Sequence, residues 1–215
     1  MKALIFDLDG VLVFTDKFHY EAWKKTADKL GVYFDEVINN RLRGVSRAGS
    51  LEIILERYDG ELSATEKDAL MEEKNNTYLR LLDAMTPADV SNEVRSTLNE
   101  LRQRGFALAI GSSSKNAGFI LQKVQLSGAF DAVSDGNNIT RSKPDPEVFL
   151  KAASLLGKAP HDCAVVEDAE AGIDAAKAGG MTAVGIGDAA GYTKADYTIR
   201  SFRELLEIEL FSGYC

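Results

Sequence analysis

Hydrophobic positions along the chain follow two rhythms. Ala3-Leu4-Ile5-Phe6 is an apolar run with no polar gap, the pattern of a short strand buried on both faces, and it stops at Asp7-Leu8-Asp9-Gly10-Val11. From residue 15 to 85 the period becomes helical, with no convincing buried strand. Phe18, Ala22, Trp23, Ala27 and Leu30 form one face that Gly31 closes, and a second helix follows Asp35. Arg43-Gly44-Val45-Ser46-Arg47 interrupts it. Leu51, Ile54, Leu55 and Tyr58 resume the helical spacing up to Asp59-Gly60. Ser63-Ala64-Thr65-Glu66 has the form of a capping box, which predicts a long helix through Leu70, Lys74, Tyr78, Leu81 and Leu82.

After Ser91 strands and helices alternate. Strands are predicted at Phe106–Ile110, Phe130–Val133, Ala164–Val166 and Thr182–Ile186. Between them lie helices marked by Val94, Leu98 and Leu101, by Phe119, Ile120 and Val124, and by a run ending at Ala178. Asp145 reads as an N-cap with Pro146 in the first helical position, and Ser201 with Glu204 as a last capping box. Such alternation implies a parallel sheet with right-handed crossovers. The fold class is therefore α/β, a Rossmann-like parallel-sheet core with an all-helical insertion after the first strand. The expected division is residues 1–13 and 86–215 for the core and 14–85 for a helical cap domain.

Composition narrows the partners. The chain has 215 residues, 45% of them hydrophobic, and a net charge of −8, which argues against nucleic acid or an anionic membrane surface. Two cysteines, Cys163 and Cys215, imply no disulfide framework. The opening apolar run is too short for a signal peptide or a spanning helix. A cytoplasmic, monomeric protein acting on small molecules is expected.

In a parallel sheet all strand ends face one edge, where open α/β folds place ligand sites. The first strand ends in Asp7 and Asp9, the second in Ser112-Ser113-Ser114, the fourth in Glu167-Asp168, and Lys143 precedes an intervening helix. Each has an ordinary reading: Asp-x-Asp-Gly and the serines as turns, Lys143 as a solvated lysine, Glu167-Asp168 as a helix-start pair. Together, acids, hydroxyls and a lysine gathered at one edge suit phosphoryl transfer assisted by Mg²⁺, since like-charged carboxylates need a cation between them.

These motifs resemble the four that mark the haloacid dehalogenase superfamily. Further stretches are similar to its β-phosphoglucomutase family: His19 and Trp23, Gly44-Val45-Ser46-Arg47, Lys74-Asn75, and Ser113-Ser114-Lys115-Asn116. The resemblance implies Asp7 as nucleophile and Asp9 as general acid and base, with Mg²⁺ held by Asp7, the Asp9 backbone carbonyl, Glu167 and Asp168. It implies that Ser112 and Lys143 hold the transferring phosphoryl group and that Arg47 grips the distal phosphate. Ser114, Lys115 and Asn116 would support phosphate or sugar, while His19, Trp23, Gly44, Val45, Ser46 and Lys74 would line the cap side. The implied reaction converts β-glucose 1-phosphate to glucose 6-phosphate through β-glucose 1,6-bisphosphate, which also serves as activating intermediate. Phe14 stands where the family usually has an acid before the hinge threonine.

Two other readings share these residues. A sugar-phosphate phosphatase would use the same core and differ in its cap. A phospho-accepting signalling receiver also carries strand-end aspartates and a lysine, but it has no second aspartate two residues on. Nor has it use for an insertion several-fold longer than ordinary loops.

Overall fold

A computed structural model describes residues 3–209; Cys215 lies outside the described residues. Strands β1 (Ala3–Phe6), β2 (Ala107–Gly111), β3 (Ala132–Ser134), β4 (Cys163–Glu167), β5 (Thr182–Gly185) and β6 (Tyr197–Thr198) form one sheet in the order β3-β2-β1-β4-β5-β6. Every pairing is parallel. Central β1 explains the gapless apolar run. Leu4 and Phe6 point into one hydrophobic layer, Ala3 and Ile5 into the other, and all four are fully buried. Burying each of the larger side chains stabilises the core by roughly 1.5–3 kcal/mol. β1 lies between β2 and β4, so the strand order reverses beside it, which is where an open parallel sheet leaves a crevice.

The insertion after β1 holds four helices, α1 (Asp16–Leu30), α2 (Glu36–Asn40), α3 (Arg47–Leu55) and α4 (Ala64–Leu82). They carry a separate core built on Trp23, Phe34, Leu51, Ile54 and Leu70. The start signals predicted at Asp35 and Ser63 are present, and the structure adds one at Ser46. Asp35 and Ser46 accept from backbone amides of α2 and α3, and the Ser63/Glu66 box is reciprocal. The rest of the chain adds α5 (Asn92–Gln103), α6 (Ala117–Lys123), α7 (Glu147–Leu155) and α8 (Glu170–Ala178), which cover the sheet.

Differences from the sequence reading fall at element ends. β6 has two exposed residues and too little pattern to be read. Asp145 accepts the Glu147 amide (3.0 Å) from one position further out, and Pro146 is itself the residue before α7. Ser201 caps nothing with its side chain. The segment after it is a 3-10 helix, Phe202–Glu207, whose Phe202 and Leu205 are drawn into the core, and Glu204 accepts the Arg200 amide instead (3.0 Å).

Candidate active site

A cavity of about 670 Å³ opens between the carboxyl ends of the strands and the helical insertion. Its floor follows from β1. The Asp7 amide continues the sheet by donating to the Val166 carbonyl (3.0 Å), and the chain then turns tightly, with the Gly10 amide donating to the Val13 carbonyl (2.7 Å). Gly10 has φ +86°, and a β-carbon there would stand 2.0 Å from Asp168 Oδ2, so only glycine permits this approach. Asp7, Glu167 and Asp168 thereby offer buried carboxylate oxygens within 4.8 Å of one another. An all-oxygen set of this charge fits a hard divalent cation such as Mg²⁺.

Lys143 lies behind this group with a fully buried side chain. It donates to Asp7 and to Glu167 (2.6 Å for the latter). Burial opposes its charge, but the attraction of the two carboxylates wins and holds the ammonium above its ordinary range. Burial likewise pushes Asp7 up to about 7 against the pull of Lys143. Asp168 rises to about 8, through burial first and then repulsion from Glu167 and Asp7.

Asp9 points the other way, toward the insertion. Its Oδ1 accepts from the Thr15 hydroxyl, whose oxygen in turn accepts from the Tyr78 phenol (3.0 Å). Burial raises the Asp9 pKa, opposed by the Thr15 hydrogen bond.

The opposite wall is cationic. Gly44, with φ +72°, lets the α2–α3 turn come close to the Lys143 side chain (3.7 Å from a β-carbon built there) and presents Val45, Ser46 and Arg47 to the cavity. Arg47 donates to Asn75 Oδ1 (2.7 Å), which also accepts from Asn116 Nδ2 of the core (3.0 Å). Lys74 is buried on α4, its Nζ 4.8 Å from the Trp23 ring centroid and 4.6 Å from that of Tyr78. It donates to His19 Nδ1 (3.0 Å), a ring kept neutral because burial and the charges of Lys74 and Arg47 hold its pKa well below the usual value. Burial and Arg47 lower Lys74 itself to about 7. Among the described residues no carboxylate hydrogen-bonds Arg47 or Lys74.

The cavity thus gathers Asp7, Asp9, His19, Trp23, Gly44, Val45, Ser46, Arg47, Lys74, Ser112, Ser114, Lys115, Asn116, Glu167 and Asp168 in its lining. Lys143 alone of the expected residues stands behind the wall rather than in it. Ser112 Oγ accepts the Ser114 amide (3.2 Å), which shapes the loop. Several contributors were not legible beforehand. Thr15 and Tyr78 read only as a hinge residue and a helix-face aromatic. Arg43 read as part of a helix break, yet it pairs with Asp188 and lies 3.8 Å from Asp168. The 135–141 loop, with no recognisable chemistry, contributes Gly136, Ile139 and Thr140. Phe14 lines the mouth and is 72% exposed, and His161 is a surface residue.

Comparison with known proteins agrees with this geometry. Residues 1–180 match the haloacid dehalogenase-like hydrolase family. The chain is 42% identical to a β-phosphoglucomutase of Bacillus subtilis, over 95% of this chain and 92% of that protein. It is 33% identical to a fructose-1-phosphate phosphatase of Escherichia coli, over 86% of this chain and 95% of the relative. The crystal structure of a β-phosphoglucomutase from Clostridium difficile superposes with a TM-score of 0.93 at 37% identity, covering 100% of this chain and 98% of the other. With motifs, fold and relatives in accord, the chain belongs to the haloacid dehalogenase-like hydrolase family and, within it, to the β-phosphoglucomutase family.

Proposed function

We propose that the protein interconverts β-D-glucose 1-phosphate and β-D-glucose 6-phosphate through an aspartyl-phosphate on Asp7 and β-glucose 1,6-bisphosphate. The observation that carries this reading is the division of charge across the cavity. One end holds the carboxylate cluster around Asp7; the other holds Arg47 and Lys74, neither of them hydrogen-bonded to a carboxylate among the described residues. A substrate with an anionic group at each end satisfies both, the reacting phosphoryl at Asp7 and the second phosphate at the guanidinium fork.

In the chemistry that follows, an Asp7 carboxylate oxygen attacks the phosphorus of the bisphosphate and the bond from phosphorus to the sugar oxygen breaks. Asp9 gives its proton to that leaving oxygen. In the second half the C6 hydroxyl of an incoming β-glucose 1-phosphate loses its proton to Asp9 and attacks the aspartyl-phosphate, which re-forms the bisphosphate and frees Asp7. Lys143 keeps positive charge beside Asp7, and Ser112 and the following amides receive the phosphoryl oxygens. Mg²⁺ held by Asp7, Glu167, Asp168 and the Asp9 carbonyl would screen charge on the transferring group. Residues 14–85, acting as a cap, exclude water so that the sugar hydroxyl rather than water receives the phosphoryl group. The protein works in this reading as a monomer of the cytoplasm.

The test is direct. Incubation with Mg²⁺, β-glucose 1-phosphate and a trace of bisphosphate should yield glucose 6-phosphate with little inorganic phosphate. Mostly inorganic phosphate would favour a phosphatase, the activity named for the relative from Escherichia coli.

A further inference from the structure

We infer that Asp188 is a positioning residue for the cation site: by taking the guanidinium of Arg43, it leaves the Asp168 carboxylate free to hold a divalent cation. This rests on Asp7, Glu167 and Asp168 being that site, as read above. Gly187, with φ +60°, begins a 3-10 helix after β5, Gly187–Gly191, whose Ala189 amide donates to the Asp168 carbonyl (3.0 Å). The backbone of the core thereby fixes Asp188 beside Asp168. Arg43 arrives from the insertion, in the turn between α2 and α3. Its Nη1 donates to Asp188 Oδ2 and stands 3.8 Å from Asp168 Oδ2, too far for a hydrogen bond. On the other edge of the fork, Nε lies 3.7 Å from Asp16 Oδ1, which accepts from Nδ2 of buried Asn39 (3.0 Å).

Two carboxylates of the core therefore compete for one nitrogen of the insertion. A guanidinium paired with Asp168 would cancel one negative charge of the cation site and occupy oxygens that the cation needs. The charge of Arg43 is already felt there, since it opposes the upward push of burial on the Asp168 pKa. Asp188 is the nearer acceptor and keeps the fork off Asp168. A positively charged turn of the insertion can thus lie over the cation site without emptying it.

Cation binding can be read without turnover and without sugar phosphate: Mn²⁺ by loss of its free-ion paramagnetic signal, Mg²⁺ by displacement of the Mn²⁺. Asp188→Ala should raise Kd for both ions about three- to tenfold, the size of a partly exposed charge contact. Arg43→Gln should bind as tightly as wild type or up to about threefold more tightly on the same grounds. With Arg43→Gln already in place, Asp188→Ala should change Kd less than about twofold, because the competing group is gone. Wild-type Kd in Asp188→Ala would overturn the proposal. So would an equal loss with and without Arg43, which would make Asp188 only a distant charge. The Asp188 side chain is 78% exposed, so its removal leaves the fold intact, and Arg43→Met replaces Arg43→Gln should the latter fail to fold by its thermal midpoint. Asp168→Asn is the control. If it loses the cation while Asp188→Ala binds as wild type does, this inference alone fails; if it binds as wild type does, or if wild type binds neither ion, the cation site itself fails and this inference with it.

Discussion

Each side of the cavity buries a lysine, and the two are held in opposite ways. Lys143, from the core, is gripped by Asp7 and Glu167 and kept charged. Lys74, from the insertion, faces His19 and two aromatic rings, and burial draws its pKa down to about 7. A buried charge with partners on the spot serves the folded protein whether or not substrate is present. One without them is an unmet demand that an incoming anion can satisfy. Lys143 is in this sense satisfied within the fold, whereas Lys74 is completed by what the cavity binds.

The largest expected effect falls on the core. Asp7→Asn should bring turnover to background, a loss on the order of 10⁴-fold or more, because an amide cannot form the acyl phosphate. Chelation of divalent cations should do the same and added Mg²⁺ should reverse it; full activity in a metal-free sample would remove the core half of the contrast. Lys143→Met comes next. It strands two buried carboxylates, and denaturant titration should show about 3–5 kcal/mol of lost stability.

The insertion should respond differently. Arg47→Ala removes a charge-assisted contact worth about 1.5–3 kcal/mol, so kcat/KM for glucose phosphates should fall roughly 10- to 100-fold. Acetyl phosphate, with no second anionic group, should feel this far less. Equal losses on both substrates would make the arginine structural and move the phosphatase reading ahead.

The smallest effect has the most specific sign. Lys74 has a folded pKa of about 7 against an ordinary 10.5, so between those values the unfolded chain binds more protons than the folded one. The stability cost of burying the ammonium is therefore full below about pH 7 and fades as pH rises toward 10.5. In the substrate-free protein Lys74→Met should be more stable than wild type at pH 7, by a few kcal/mol at most and about 2–4 °C in Tm for each, while isomerisation suffers. Melting curves of the two at pH 7 and pH 10 should converge at the higher pH. A stability gap that stays constant with pH would mean that the lysine is not held as described.

Much of this was legible in the sequence because it depends on local pattern. The gapless run into Asp7, the capping signals at Asp35 and Ser63, and the alternation after Ser91 each follow from what a strand or helix needs from its neighbours in the chain. Parallel order then places Asp7, Ser112 and Glu167-Asp168 on one edge. Where local pattern is thin the reading slipped, as at the two-residue β6 and at Ser201, where packing of Phe202 and Leu205 prevailed over the cap.

Pairings across the fold are another matter. Nothing in the neighbourhood of Tyr78 says that its hydroxyl meets Thr15, 63 positions earlier. Nothing near Asn75 says that it joins Arg47 to Asn116, or near Lys143 that it stands behind Asp7 rather than in the cavity wall. Sequence determined which chemical groups the chain carries to the strand ends and which helices cover them. Only the tertiary structure decided which group hydrogen-bonds which, and so which charges are satisfied and which wait for substrate. The physical reason is that hydrogen bonds and desolvation act over a few ångströms in space, between residues whose separation along the chain carries no trace of the contact.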